Sequence, residues 1–211
     1  MGTVFWDLDG TLTDPKPGIT GSVVKALEAL GLDAPHPDDL EWVIGPALLW
    51  SFEKLGVANP QAALDHYRAF YEDEGGMYDC TVFDGIPEAL STIKSRHVMH
   101  IATAKPHAYA RKITAHFGLA QHMTHEFGPE LDGTRNDKGD LLRHALAYTS
   151  TDPGGCVMVG DRHYDLNAAR AVDMKFVGVT WGYGGSDDLS DADAMVETPA
   201  DLPGVIETLL S

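Results

Sequence analysis

Two aspartates two residues apart, Asp7 and Asp9, close a short apolar run, and Gly10 and Thr11 follow at once. In a strand, positions i and i+2 point to the same side. The two carboxylates would therefore share one face at the strand's carboxyl end, or lie just beyond it. About 4 Å apart, two carboxylates repel by roughly 4 kcal/mol at an effective dielectric of about 20. A cation must offset that, and a hard divalent metal with oxygen ligands is the natural candidate. Alone, the D-x-D-G pattern reads equally well as a plain turn after a solvated strand end. Two more carboxylates, Asp161 and Asp165, follow a second apolar run, and Thr103 ends a third. Lys138 lies on the helix before the Asp161 run, with Lys105 competing for the same cationic role.

The elements that must position these residues alternate in type. Val4–Trp6, Val98–Ala102, Cys156–Val159 and Phe176–Val179 read as buried strands, with a weaker one at His125–Phe127. Between them, helices are expected over Ile86–Lys94, from Pro106 through Phe117, over Lys138–Tyr148, over Asn167–Val172 and over Leu202–Leu210. Such alternation implies an α/β, doubly wound, mostly parallel sheet. Ligands in such sheets sit outside the carboxyl ends of the strands. That rule places Asp7, Asp9, Thr103 and Asp161 along one edge.

One stretch breaks the alternation. After the stiff connector Asp14–Gly18, residues from about Ile19 to Tyr78 carry only helical patterning, divided by Gly31, Gly56 and Gly75–Gly76. Helices open at Pro37, Pro46 and Pro60, where a first-turn proline is tolerated. The expected organisation is a core of residues 1–14 and 81–211 with an inserted helical subdomain at 15–80. Trp42, Trp50, Tyr67, Phe70 and Tyr71, at helical spacing, read as the core of that insert.

Composition limits the partners. With 211 residues, 44% apolar and 22% charged, the chain suits one generous domain with an insert. A net charge of −17 argues against a nucleic-acid polymer or an anionic membrane as partner, since both call for a basic face. The two cysteines, Cys80 and Cys156, form neither a disulfide framework nor a metal motif. With no membrane-length apolar run and no leader before the first strand, a cytoplasmic setting is expected, as a monomer or homodimer.

The ordered set Asp7-Leu8-Asp9-Gly10-Thr11, Ile101-Ala102-Thr103, and Gly160-Asp161-Arg162-His163-Tyr164-Asp165 resembles the haloacid dehalogenase superfamily of aspartate-nucleophile phosphatases. The resemblance runs from Phe5 to about Gly184. The helical insert looks like the cap of the phosphoglycolate-phosphatase-like branch. Ile44-Gly45-Pro46, Ala102-Thr103-Ala104-Lys105-Pro106 and Leu131–Lys138 are similar to a 5′-nucleotidase-like subgroup.

The resemblance implies a hydrolase of phosphate monoesters working through an aspartyl-phosphate, with a small phosphorylated metabolite as substrate. Asp7 would be the nucleophile, and Asp9 the general acid and then base. Mg²⁺ would be held by Asp7, the Asp9 carbonyl and Asp161, with Asp165 either assisting through water or capping the next helix. Gly10, Thr11, Thr103, Ala104 and Lys138 would hold the phosphate. Arg162 and His163 depart from the small or polar residues common at their positions, and Gly182-Tyr183-Gly184-Gly185 makes no dinucleotide fingerprint. A phosphomutase, a dehalogenase, a non-catalytic phospho-aspartate switch and a metabolite-binding module are the alternatives to be separated.

Overall fold

A computed structural model describes residues 1–185 and 189–211. The chain divides into two compact units, Met1–Thr13 with Val82–Ser211, and Asp14–Thr81. Strand β1 (Thr3–Trp6) opens the first unit, and the short strand β2 (Thr13–Asp14) carries the chain into the second.

The second unit is helical: α1 (Lys16–Ala29), a 3₁₀ segment (Pro37–Val43), α2 (Leu48–Lys54) and α3 (Pro60–Asp73). Val23, Ala26 and Leu27 of α1 are buried, as are Ala63, Tyr67 and Tyr71 of α3. The Tyr67 and Tyr71 rings stack at 5.2 Å, one helical turn apart. Trp50 does not join this core, contrary to the sequence reading, and is 44% exposed. Its ring meets Trp42 edge-on at 6.2 Å, and the Lys54 ammonium lies 4.3 Å from the Trp42 ring centre. That cation–π contact stabilises an aromatic pair outside the core. Pro46 also falls outside its helix, because Ala47 is extended and caps α2 instead.

The chain returns through β3 (Thr81–Val82). Helices α4 (Ile86–Lys94), α5 (His107–His116), α6 (Lys138–Thr149), α7 (His163–Arg170) and α8 (Leu202–Leu209) then alternate with β4 (Val98–Ala102), β5 (His125–Phe127), β6 (Cys156–Gly160), β7 (Lys175–Val179) and β8 (Ala194–Val196). Helix α7 starts four residues before the expected position, because Asp165 accepts from the Arg162 N–H at 3.0 Å and caps its first turn. Strand β8 was not anticipated.

The six strands run in the order β5-β4-β1-β6-β7-β8, and every pairing is parallel. This is the doubly wound sheet expected from the sequence. All four residues of β1 are buried, as a central parallel strand covered on both faces requires. On one face, Phe5 lies in register with Met158 and Met158 with Phe176. These pack with Leu141, Leu142 and Ala145 of α6 and Leu166 and Ala169 of α7. The chain order turns in opposite directions on the two sides of β1, so the carboxyl ends of β4, β1 and β6 border a topological switch point.

Candidate active site

The turn after β1 builds the first part of the site. The Leu8 carbonyl accepts from Leu12 and Thr13 N–H groups at 2.9 and 3.0 Å, and Gly10 N–H donates to Thr13 O at 2.7 Å. Gly10 has φ +86°, a left-handed conformation that favours glycine. A Cβ there would also sit 2.3 Å from Asp161 Oδ2. The turn therefore bends Asp7 and Asp9 beyond the strand and brings Thr11 beside Asp161, where its hydroxyl donates to Oδ1 at 3.4 Å.

Asp7, Asp161 and Asp165 are buried together, with a carboxylate oxygen of each within 4.8 Å of the others. Lys138, at the start of α6, donates from Nζ to Asp7 Oδ1 at 2.6 Å and also to Asp165 Oδ1. Asp137 caps α6 by accepting from the Asp140 N–H at 2.8 Å, which fixes where the lysine emerges. Burial tends to lower the Lys138 pKa, but attraction to Asp165 and Asp7 overrides it and raises it. The ammonium is thus a permanent charge.

The carboxylates show the opposite stress. Burial, then repulsion from Asp165 and Asp7, pushes Asp161 up to about 7. Asp165 rises to about 6, mainly by burial and by Asp7 against the attraction of Lys138. Three carboxylates and one ammonium leave an excess of two negative charges, which a dication neutralises. The donors are all hard oxygens. The residues therefore fit a hard divalent cation.

Asp9 stands apart from this group. Its carboxylate pairs with Lys105 Nζ at 2.7 Å, both side chains being buried. Burial raises the Asp9 pKa, Lys105 opposes it and Asp7 adds to it, so the carboxyl holds a proton more readily than an exposed aspartate. The carboxylate is not brought to the metal-type cluster. The two lysines do not compete, as Lys138 serves Asp7 and Asp165 while Lys105 serves Asp9.

Thr103 is buried at the end of β4, its N–H donating to Phe127 O at 3.1 Å and its hydroxyl accepting from Lys105 N–H at 3.2 Å. The β1–β4 register, Trp6 with Ile101, sets it on the same sheet edge as Asp7. Ala104 follows in the half-buried turn between Thr103 and Lys105. Sequence reasoning missed the Lys105–Asp9 pair and the contacts of Trp181 and Tyr183. Tyr183 N–H donates to Asp161 Oδ2 at 2.7 Å, and Trp181 Nε1 donates to Thr11 O at 3.0 Å. The available signal was a glycine-spaced loop directly after a strand on this same edge.

Known proteins resemble this chain over most of its length. A 5′-nucleotidase of Pseudomonas aeruginosa is 43% identical over 190 residues, covering 88% of this chain and 86% of that one. The tyrosine-protein kinase PtkA of Mycobacterium tuberculosis is 37% identical over 199 residues, covering 93% and 68%. The crystal structure of a predicted phosphatase from Clostridium acetobutylicum superposes with a TM-score of 0.92 at 32% identity, covering 98% of each chain. Residues 4–179, which hold the aspartate turn, both lysines and the Asp161–Asp165 pair, match the family described as haloacid dehalogenase-like hydrolase. With that span matched and its carboxylates gathered on one edge of the sheet, this chain belongs to the haloacid dehalogenase-like hydrolases.

Proposed function

We propose that the chain is a Mg²⁺-dependent phosphomonoesterase acting on a small phosphorylated metabolite through an aspartyl-phosphate on Asp7. The observation that carries this reading is the division of labour between the two lysines. Lys138 orients Asp7 beside a carboxylate pair suited to a dication, while Lys105 holds Asp9 separately, two residues further on.

In this reading an Asp7 oxygen attacks phosphorus as the ester P–O bond breaks. Asp9, whose pKa is raised, gives its proton to the leaving oxygen. A water then attacks the aspartyl-phosphate and Asp9 takes its proton, so that inorganic phosphate leaves and Asp7 returns as carboxylate. Mg²⁺ held by Asp7, Asp161 and the Asp9 carbonyl, with Asp165 behind them, would neutralise charge on the phosphoryl oxygens. Lys138, the Thr103 hydroxyl and the backbone N–H of Ala104 would supply the remaining donors, whereas the Gly10 and Thr11 N–H groups expected for that role donate within the turn, to Thr13 O at 2.7 Å and Leu8 O at 3.3 Å. The helical unit begins in the chain five residues past Asp9, which supports reading it as a cap that selects the leaving group.

A nucleoside 5′-monophosphate is the first substrate to test, given the 43% identity to a 5′-nucleotidase, with 2-phosphoglycolate second. The test is phosphate release from nucleoside monophosphates, 2-phosphoglycolate and sugar phosphates, with Mg²⁺ and with EDTA, beside Asp7→Asn. Metal-dependent turnover absent from the variant is expected. Isomerised sugar phosphate without net release would identify a mutase. A phosphorylated Asp7 that never turns over, or passes its phosphoryl group to a protein hydroxyl, would overturn the phosphatase reading.

A further inference from the structure

The loop after β7 has no part in the chemistry above, yet it lies against two of the segments that do. A Cβ on Gly182 would meet Gly10 O at 2.3 Å and both Cβ and Oδ2 of Asp161 at 2.4 Å. A Cβ on Gly184 would fall 1.7 Å from Asp161 O. Backbone can therefore approach this closely only where these side chains are absent. Two directed hydrogen bonds use that approach: Tyr183 N–H on Asp161 Oδ2 at 2.7 Å, and the Trp181 indole N–H on Thr11 O at 3.0 Å.

We propose that Trp181, Gly182, Tyr183 and Gly184 form a positioning clamp that sets the rotation of the Asp161 carboxylate and ties it to the Gly10–Thr11 turn. The clamp thereby pre-organises the dication site, and the proposal rests on that site's reading given above. An acid held only by its own backbone samples several rotamers, whereas Asp161 is gripped at Oδ2 by the loop and at Oδ1 by Thr11. The buried cluster then has one arrangement of its oxygens before any cation arrives. Groups that orient metal ligands in this way typically change metal affinity by about 10–100-fold when removed. Each clamp residue acts through Asp161 or Thr11 and touches no reacting atom, so these are positioning residues.

The test is Mn²⁺ binding to the substrate-free protein, read from the electron paramagnetic resonance signal of the remaining free ion. Gly182→Ala is expected to weaken binding by about tenfold or more. Trp181→Phe, which keeps a ring and removes the N–H, should weaken it several-fold. Gly185→Ala, in the same loop with nothing among the described residues within 4 Å of its added carbon, should bind as wild type does. If Gly182→Ala does not fold, Trp181→Phe decides. Wild-type affinity in Gly182→Ala and Trp181→Phe, with or without a lowered melting temperature in EDTA, would overturn the clamp and leave the phosphatase reading standing. Absence of Mn²⁺ binding by the wild-type protein would overturn both the dication site and the clamp.

Discussion

Lys138→Met removes the one ammonium that touches both Asp7 and Asp165, and its cost follows from the geometry. At 2.6 Å the Lys138–Asp7 attraction is about 6 kcal/mol in gross terms at an effective dielectric of about 20. Much of that is cancelled in the wild type by the cost of burying the ammonium. Methionine fills a similar volume, so no large cavity results, but the carboxylates are left with one another. Breaking a buried pair by removing one partner costs about 3–5 kcal/mol. We expect that loss by urea unfolding in EDTA at about pH 8, where Asp161 and Asp165, with raised pKa values of about 7 and about 6, are ionised.

The loss has a defined pH dependence. Carboxylates whose folded pKa is raised bind more protons in the native than in the unfolded state between the unfolded and folded values. They therefore destabilise the fold as pH rises through that window. Removing Lys138 takes away the attraction that holds Asp165 down and so raises its value further, and the gap between variant and wild type should narrow as pH falls from about 8 towards about 6. Saturating Mg²⁺ should narrow it at constant pH. A Lys138→Met protein as stable as wild type at about pH 8 in EDTA, or a gap indifferent to both pH and Mg²⁺, would refute the electrostatic account of the cluster.

Three further outcomes are expected. Mg²⁺ at about 100 times its dissociation constant should stabilise the wild type by about 2.7 kcal/mol; differential scanning calorimetry should show no such gain in Asp161→Asn. Gly10→Ala combines a strained φ of +86° with a Cβ 2.3 Å from Asp161 Oδ2, so urea unfolding should show a loss of about 2 kcal/mol or more. Unchanged stability would mean that the turn is not constrained. Burial, with a contribution from His125, pushes His100 down to about 4, so the unfolded chain binds its proton first as pH falls. After discounting for solvent screening, His100 should cost the wild type about 2 kcal/mol between about pH 6.5 and pH 4. His100→Leu should therefore lose less stability on acidification, and parallel pH profiles would contradict this.

Much of the site was legible because its signals are local. An apolar run stopped by an aspartate marks a strand end, and a parallel sheet gathers strand ends on one edge, so Asp7, Asp161 and Thr103 were placed with few assumptions. Lys138 was legible as a lysine on the helix before β6, but its bond to Asp165 depends on a turn in which Asp165 also caps α7. Lys105 could not be assigned from spacing, because its partner is fixed by the neighbouring β1 and β4 ends. Strand β8 escaped because Ala194–Val196 is three residues long with Met195 exposed, too short to show a period. Trp50 misled because helical spacing states which residues share a face, and does not state whether that face is covered.

The measurement that tests the central claim most directly is mass analysis of the protein quenched in its first turnovers with the best phosphate ester and Mg²⁺. The peptide containing Asp7 should gain one phosphoryl group, lose it to hydroxylamine as an acyl phosphate does, and stay unmodified in Asp7→Asn. Phosphate release with no such adduct, or with the group on a different residue, would contradict nucleophilic catalysis by Asp7.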